Sequence, residues 1–554
     1  MSSISPMNGT LGGKNAAHLL RRATFGPTVK DIIDFSAKTT DEALAILFAD
    51  TVEPDPPKDP LTNATWLNPK AGVGNSDKSN LIDFYIGWHL EQMRKSGNNI
   101  KERIVYFLHT HLPVNRSVVE SSEAIYYQNK LFRHYAFGNF KELFKKICID
   151  NAMLVYIDGD TNDVSSPNEN FAREMFELYS IGKGPQIEEG NYTNYTEHDI
   201  KQATKVLTGY RYDGTFTHLD VDTSIPSGRP ETIVDGLNEL ASRHDASKKI
   251  FSPAFKNTEI EPSNIVSGYA TTETALQELN DMIEMIFAQP ETAKFLCRKL
   301  YRFFVYHQIN SEVENDIIAP LAETFRTNNY ELKPVIEQLL KSQHFYDSDN
   351  SVTTDDNISA LIKSPVEVMI GALRFFQVSF TNIVTDLNKL YVDTYQKVIL
   401  EQLRNQGMNF YEPFDVAGYD AYFQEPTFNR YWITPRNLAM RYYFSNFLID
   451  GKIEGENIPF KADVVAWTDN TDNVSDPYDA EVVVTAFTWY LLAVELSTDR
   501  FDYFLNTVFL DTLSSTYWTS KWATYKGGGS DAEVRADLEN LVKSVMQTPE
   551  FQLF

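Results

Sequence analysis

Along most of the chain, apolar residues recur at three- and four-residue spacing, a period that predicts helices. Residues 15–20 follow it, Phe25-Gly26-Pro27-Thr28 interrupts it, and Thr28 stands where it can cap a second helix, so a helical hairpin is expected. Residues 41–48 repeat the scheme, with Asp41 as cap and Leu44, Leu47 and Phe48 on the buried stripe. Pro, Asn and Gly between 52 and 74 predict an extended loop. Further helices are expected over 81–94, over 100–112, where Pro113 stops the period, and over 126–136 and 140–150.

The segment SPNENFAREMFELYSIG, 166–182, carries clear punctuation. Ser166 can cap, Pro167 suits the first helical position, Glu169 completes a capping box and Gly182 supplies the stop. Thr196-Glu197-His198-Asp199 repeats the device, with Ile200, Ala203, Val206 and Leu207 as the apolar face and Thr208-Gly209 as the end. In YRYDGTFTHLDVD, 210–222, the period switches to two around Asp213-Gly214, which predicts a β hairpin. Residues 224–263 read as irregular, with a short strand at 249–251. Helical period returns over 272–287, 291–307, 312–327, 332–342 and 364–376, and again over 480–496 and 531–547. The aromatic stretch 406–435 lacks a period and reads as an ordered loop. The expected fold is mainly α: a large multi-helix body over 1–440 with a small hairpin insertion near 210–222, and a C-terminal helical section over 441–554 packed on it.

Composition narrows the function classes. The 554 residues are 42% hydrophobic and 13% aromatic, enough for a large core and too apolar for disorder. Fifty Lys and Arg against 76 Asp and Glu leave a net charge of -26, and no basic block stands out, which argues against nucleic acid and anionic membrane surfaces. No apolar run reaches the roughly 18 residues of a membrane span. No secretory signal is readable, so a cytoplasmic location is the default expectation, with export left open. Cys148 and Cys297 each lie in an apolar stretch, so core packing is expected of both.

Several polar residues have the types and spacing that chemistry requires. His109 and His111 form an HxH pair near a helix end. Two positions in an intact helix differ by about 200°, so the pair can share a metal only if the helix ends before Pro113; otherwise each packs or caps separately. Glu169, Arg173 and Glu177 are spaced i, i+4, with Glu174 beside them. Buried, such carboxylates supply a general base or a metal ligand; exposed, they form a stripe of weak ion pairs. Asp199 has the position of a capping acid, whereas neighbouring His198 does not. His244-Asp245 lies in an irregular segment suited to a ligand or an oriented base, or to a surface turn. Asp158 is either an oxygen ligand or the start of an Asp-Gly turn. Together His109, His111, His244 and Asp245 are the candidate ligands for a divalent metal ion; Glu169, Arg173, Glu174, Glu177, His198 and Asp199 are the candidate catalytic set. There is no HExxH, P-loop, GxSxG elbow or Rossmann glycine fingerprint.

The order of several segments adds a resemblance. NAAHLLRRATFGPT, LFRHYAFGNFKELF, SPNENFAREMFELYSIG, NYTEHDIKQATKVLTGY, RHDASKKIF, FLCRKLYRFFV, IKSPVEVMIGALR, PFDVAGYDAYF and TPEFQ together resemble a large bacterial family known as domain of unknown function eighteen hundred. The resemblance spans nearly the whole chain. Tyr210 and Tyr419 stand where the family commonly has Trp, and Phe107-Leu108-His109 where it has Phe-Trp-His. It implies a mainly helical fold, export of some members, and a companion protein resembling the alkaline-phosphatase superfamily. Two functional expectations follow. One is an accessory or interaction protein acting with that companion. The other is a metal-dependent hydrolase built around the 166–182 helix.

Overall fold

The computed structural model describes residues 3–67, 76–349, 357–358, 360–380 and 382–554. Within these residues the protein is mainly α-helical, and every sheet has two strands. The first helices, Gly12–Ala23 and Val29–Ser36, form the expected hairpin. Thr28 and Asp31 close a reciprocal capping box, which fixes the entry of the second helix. Gly26, at φ +107°, is needed at the turn: a Cβ there would lie 2.9 Å from Gly371 Cα, where the Pro365–Phe375 helix passes.

The helices Lys78–Lys95, Lys101–His111, Ser122–Tyr135 and Phe140–Ile147 follow the predicted period. Lys78–Lys95 packs against the wide-turn helix Asn388–Leu400, with Gly87 admitting Tyr395. Pro290–Phe304, Ala319–Thr327 and Leu332–Lys341 make a second layer. In the C-terminal section, Ala532–Met546 packs on Val464–Asp469, Ala480–Leu491 and Pro435–Asp450. Apolar side chains from Met7 to Phe551 belong to one continuous core. Among the described residues no helix is long and apolar enough to cross a membrane.

Four local expectations need correction. Tyr210–Arg211 pairs with Arg229–Pro230 rather than with its near neighbours, so 210–222 is not a hairpin. The Asp213 carboxylate explains the difference. It accepts from the N–H groups of Thr215, Thr217 and His218 and coils the segment into a loop. The actual hairpins are nearby: Thr232–Asp235 with Asn238–Ala241, and Ile265–Val266 with Tyr269–Ala270.

Ser166 does not cap a helix either. The Asp163 carboxylate takes the N–H groups of Ser165 and Ser166, and Asn162 takes that of Asn168, so the helix begins at Asn170 and widens to π-helical turns over Met175–Ser180. Gly182, at φ +71°, follows its end as expected. Asp41 is likewise not a cap: Thr39 caps the Thr40–Leu47 helix with Glu42. The aromatic stretch is ordered, but it includes the turns Asp420–Phe423 and Phe428–Ile433. Of the predicted loop 52–74, residues 68–74 lie outside the described residues.

Candidate functional site

The Lys101–His111 helix runs through both histidines of the HxH pair, so their side chains diverge. His109 Nε2 lies 3.0 Å from the Tyr419 hydroxyl, which itself accepts from the Tyr411 main-chain N–H. His111 Nε2 lies 3.1 Å from the Tyr179 carbonyl oxygen. A carbonyl only accepts, so His111 carries its proton on Nε2 and leaves Nδ1 as an acceptor with no partner. Burial pushes both imidazoles down to about 3, with Lys299 adding to the effect at His111, and each is uncharged at neutral pH.

A third histidine, not singled out by the sequence, joins this region. His89 lies within an apolar helix and meets partners only through the fold. Its Nδ1 is 2.9 Å from the Tyr411 hydroxyl, which lies 2.6 Å from that of Tyr85. Arg133 Nε donates to Asn129 Oδ1 at 2.8 Å, which turns the Asn129 amide nitrogen toward His89 Nε2 at 3.3 Å. Arg133 is also paired with Glu102, 2.8 Å between Nη2 and Oε2. The result is a buried polar chain from Glu102 to Tyr85 that holds three helices and the aromatic stretch together.

The motif of alternating charge is divided among different partners. Arg173 forms a two-point pair with Glu197 of the next helix, at 2.6 and 2.9 Å, and reaches Glu169 at 3.3 Å. Glu177 pairs with Lys183. Glu174 is half-buried, and desolvation, then Glu177 and Asp415, push its carboxyl up to about 7. Asp199 serves the capping box of the Glu197–Val206 helix and accepts from Ser252 N and Oγ, each at 2.7 Å. His198 Nε2 is 2.7 Å from the Ile250 carbonyl oxygen. His244 is enclosed: Nδ1 meets the Thr208 carbonyl at 3.0 Å and Nε2 meets Glu278 at 2.6 Å, while Lys249 pairs with the same carboxylate. Asp245 closes a local turn by accepting from Ser247 N at 2.7 Å. Asp158 adopts φ +56° at the start of a Gly159–Thr161 turn.

The structure therefore does not bring His109, His111, His244 and Asp245 to one point. Among the described residues, no group of three or more His, Cys, Asp or Glu is arranged to hold a metal ion. Cys148 and Cys297 are buried free thiols, both pushed up by desolvation.

Two features remain that point outward from the fold's own bonding. The first is a partly open cavity of about 40 Å³. His111 and Phe107 contribute from one helix, Lys299, Arg302 and Phe303 from another, and Asn429 and Trp432 from the aromatic stretch. The second is a set of exposed apolar side chains on the paired strands: Ile233, Val234 and Leu237 on one hairpin, and Ile265 and Tyr269 on the next. A bridge from Leu240 to Thr271 joins the two hairpins, and Leu276 lies exposed on the following helix.

No curated protein and no solved structure matches the chain. A sequence model of the family described as "Protein of unknown function (DUF1800)" matches residues 18–553, and nearly all the motif residues placed above fall within that span. The chain belongs to this family.

Proposed function

We propose that the chain is an accessory protein that docks a companion through its paired-strand surface, the companion being of the alkaline-phosphatase-like type that the family resemblance implies. The observation that carries this reading is the exposed apolar surface at Ile233, Val234, Leu237, Ile265 and Tyr269. Leu237 is fully exposed at a hairpin tip, where a monomer gains nothing from an apolar side chain, and apolar groups left exposed on paired strands invite association. The polar motif residues support the reading from the other side, since most of them are engaged in bonds between elements of the fold. The test is size-exclusion chromatography and calorimetry of the purified chain with its purified companion. Association is expected for the wild type and a loss of at least tenfold in affinity for Val234→Asp/Leu237→Asp. Equal affinity in the double variant overturns the reading.

One observation favours the hydrolase as a second reading. Glu174, whose carboxyl is raised to about 7 beside Glu177 and Asp415, has the proton affinity of a general acid or base at neutral pH. A panel of ester, phosphoester and glycoside substrates tests it. Turnover by the wild type that Glu174→Gln abolishes supports the reading; absence of turnover across the panel sinks it.

A further inference from the structure

We propose that the partly open cavity beside His111 is a binding site for a small oxyanion that also carries a hydroxyl group, such as a short hydroxycarboxylate. Lys299 lines the cavity. Its ammonium makes no hydrogen bond or ion pair among the described residues, and it lies over the Phe295 ring, 5.4 Å from the centroid. Neighbouring Arg302 adds a second positive charge; it donates from Nε to the His307 carbonyl at 3.3 Å and reaches Glu425 only at 3.5 Å. The one carboxylate in the cavity wall, Glu367, is committed elsewhere, to Arg103 and to the Ser364 N–H. Lys299 thus leaves the wall with a positive charge that no ion pair among the described residues neutralises, and an unpaired charge away from water is costly.

The unpartnered polar atoms say what else the ligand carries. His307 Nε2 faces the Arg430 guanidinium at 3.3 Å, and a guanidinium only donates, so His307 Nδ1 bears the proton and is a donor without a partner. His111 is the reverse: its Nδ1 is an acceptor without a partner. Asn429, 7% exposed, leaves both its amide nitrogen and its oxygen unpartnered. Buried polar groups are nearly always satisfied, and these three residues line the cavity, where a bound molecule can supply the missing partners. A plain carboxylate answers Lys299, His307 and the Asn429 nitrogen but leaves His111 Nδ1 and Asn429 Oδ1 wanting a donor. A neutral polyol does the opposite and leaves Lys299 alone. An anion with a hydroxyl answers both, and Phe107, Phe303 and Trp432 accept its short carbon body. The size of the cavity restricts the ligand to a few heavy atoms.

Inorganic phosphate at neutral pH has the same combination of ionised oxygen and hydroxyl, so the experiment separates the two sources. Calorimetry and thermal unfolding of the full chain at pH 7 would compare glycolate, phosphate, acetate and ethylene glycol. Saturable binding of glycolate or phosphate is expected, at least tenfold tighter than acetate or ethylene glycol; the tighter of the first two identifies the source of the oxyanion. Lys299→Met is expected to weaken that binding at least tenfold while unfolding cooperatively. If Lys299→Met does not fold, ligand protection of Lys299 from reductive methylation in the wild type, read by peptide mass spectrometry, gives the same answer. No saturable binding of either oxyanion, affinity unchanged in Lys299→Met, or methylation of Lys299 at an equal rate with and without ligand overturns the proposal.

Discussion

His111 Nε2 sits 3.1 Å from the carbonyl oxygen of Tyr179, so the second histidine of the HxH pair joins its helix to the last turn of the Met175–Ser180 segment. His111→Ala removes that bond and a buried ring stacked on Phe107. The expected loss is about 2–4 kcal/mol of unfolding free energy. Urea unfolding at pH 7 measures it, and a change below about 0.5 kcal/mol would mean the bond has no structural weight.

The enclosed triad of His244, Glu278 and Lys249 carries a larger stake. All three side chains are buried, and Glu278 is shared by the other two. Removing one member strands charge inside the protein, so Glu278→Ala is expected to cost about 3–5 kcal/mol. A double-mutant cycle with Lys249→Met checks the cause. Lys249→Met alone should also destabilise, and the double variant should recover part of the loss; strictly additive effects contradict the coupling.

Acid should weaken the fold through its buried imidazoles. His109 and His111 are held down to about 3, against about 6.5 in an unfolded chain. Below pH 6.5 the unfolded chain binds protons on these rings that the folded protein refuses, so stability is complete above that pH and is lost as pH falls toward 3. Each ring contributes about 2 kcal/mol of this loss by pH 5. Urea midpoints between pH 7.5 and 5 should fall, and fall less steeply in His109→Gln; parallel curves for the two proteins would contradict the assignment.

Glu174 should show the opposite sign. Its carboxyl is raised from the usual range to about 7, so the folded protein holds a proton there that the unfolded chain has released above about pH 4.5. The contribution to stability is present at low pH and lost as pH rises through 7. Glu174→Gln, which keeps the uncharged shape, is expected to exceed the wild type by about 1 kcal/mol at pH 8 and to match it at pH 4.5, the figure being reduced for solvent screening. A variant less stable than the wild type at pH 8 would show that the ionised carboxylate has a favourable partner.

Signals contained within a few residues were legible in the sequence. Thr28 caps its helix and Thr196 with Asp199 closes the expected capping box, and the predicted helix over 272–287 has the observed bounds Thr272–Phe287. Competition between side chains and backbone was not legible. Asp163 and Asp213 each capture nearby N–H groups and defeat a helix start and a hairpin that the local pattern favours. Helices without a clean stripe were also hidden. Pro435–Asp450 buries Arg441 along with Phe444, Phe447 and Leu448, so its period is blurred. For the candidate site, the residue types were readable but their partners were not. Tyr419 lies 310 positions from His109, and Glu278 lies 34 positions from His244. His89, Lys299 and Asn429 carry no local signal at all, because their environment is made only when distant helices meet.

The motif histidines and acids bind parts of this chain to one another, and among the described residues they do not converge on a shared metal site. Elemental analysis of protein purified without chelator or affinity metal tests it most directly, with His111→Ala and His244→Ala measured alongside. No zinc, iron or manganese near stoichiometry is expected in any of the three, together with lower stability in both variants. Near-stoichiometric metal in the wild type that both substitutions remove would contradict it.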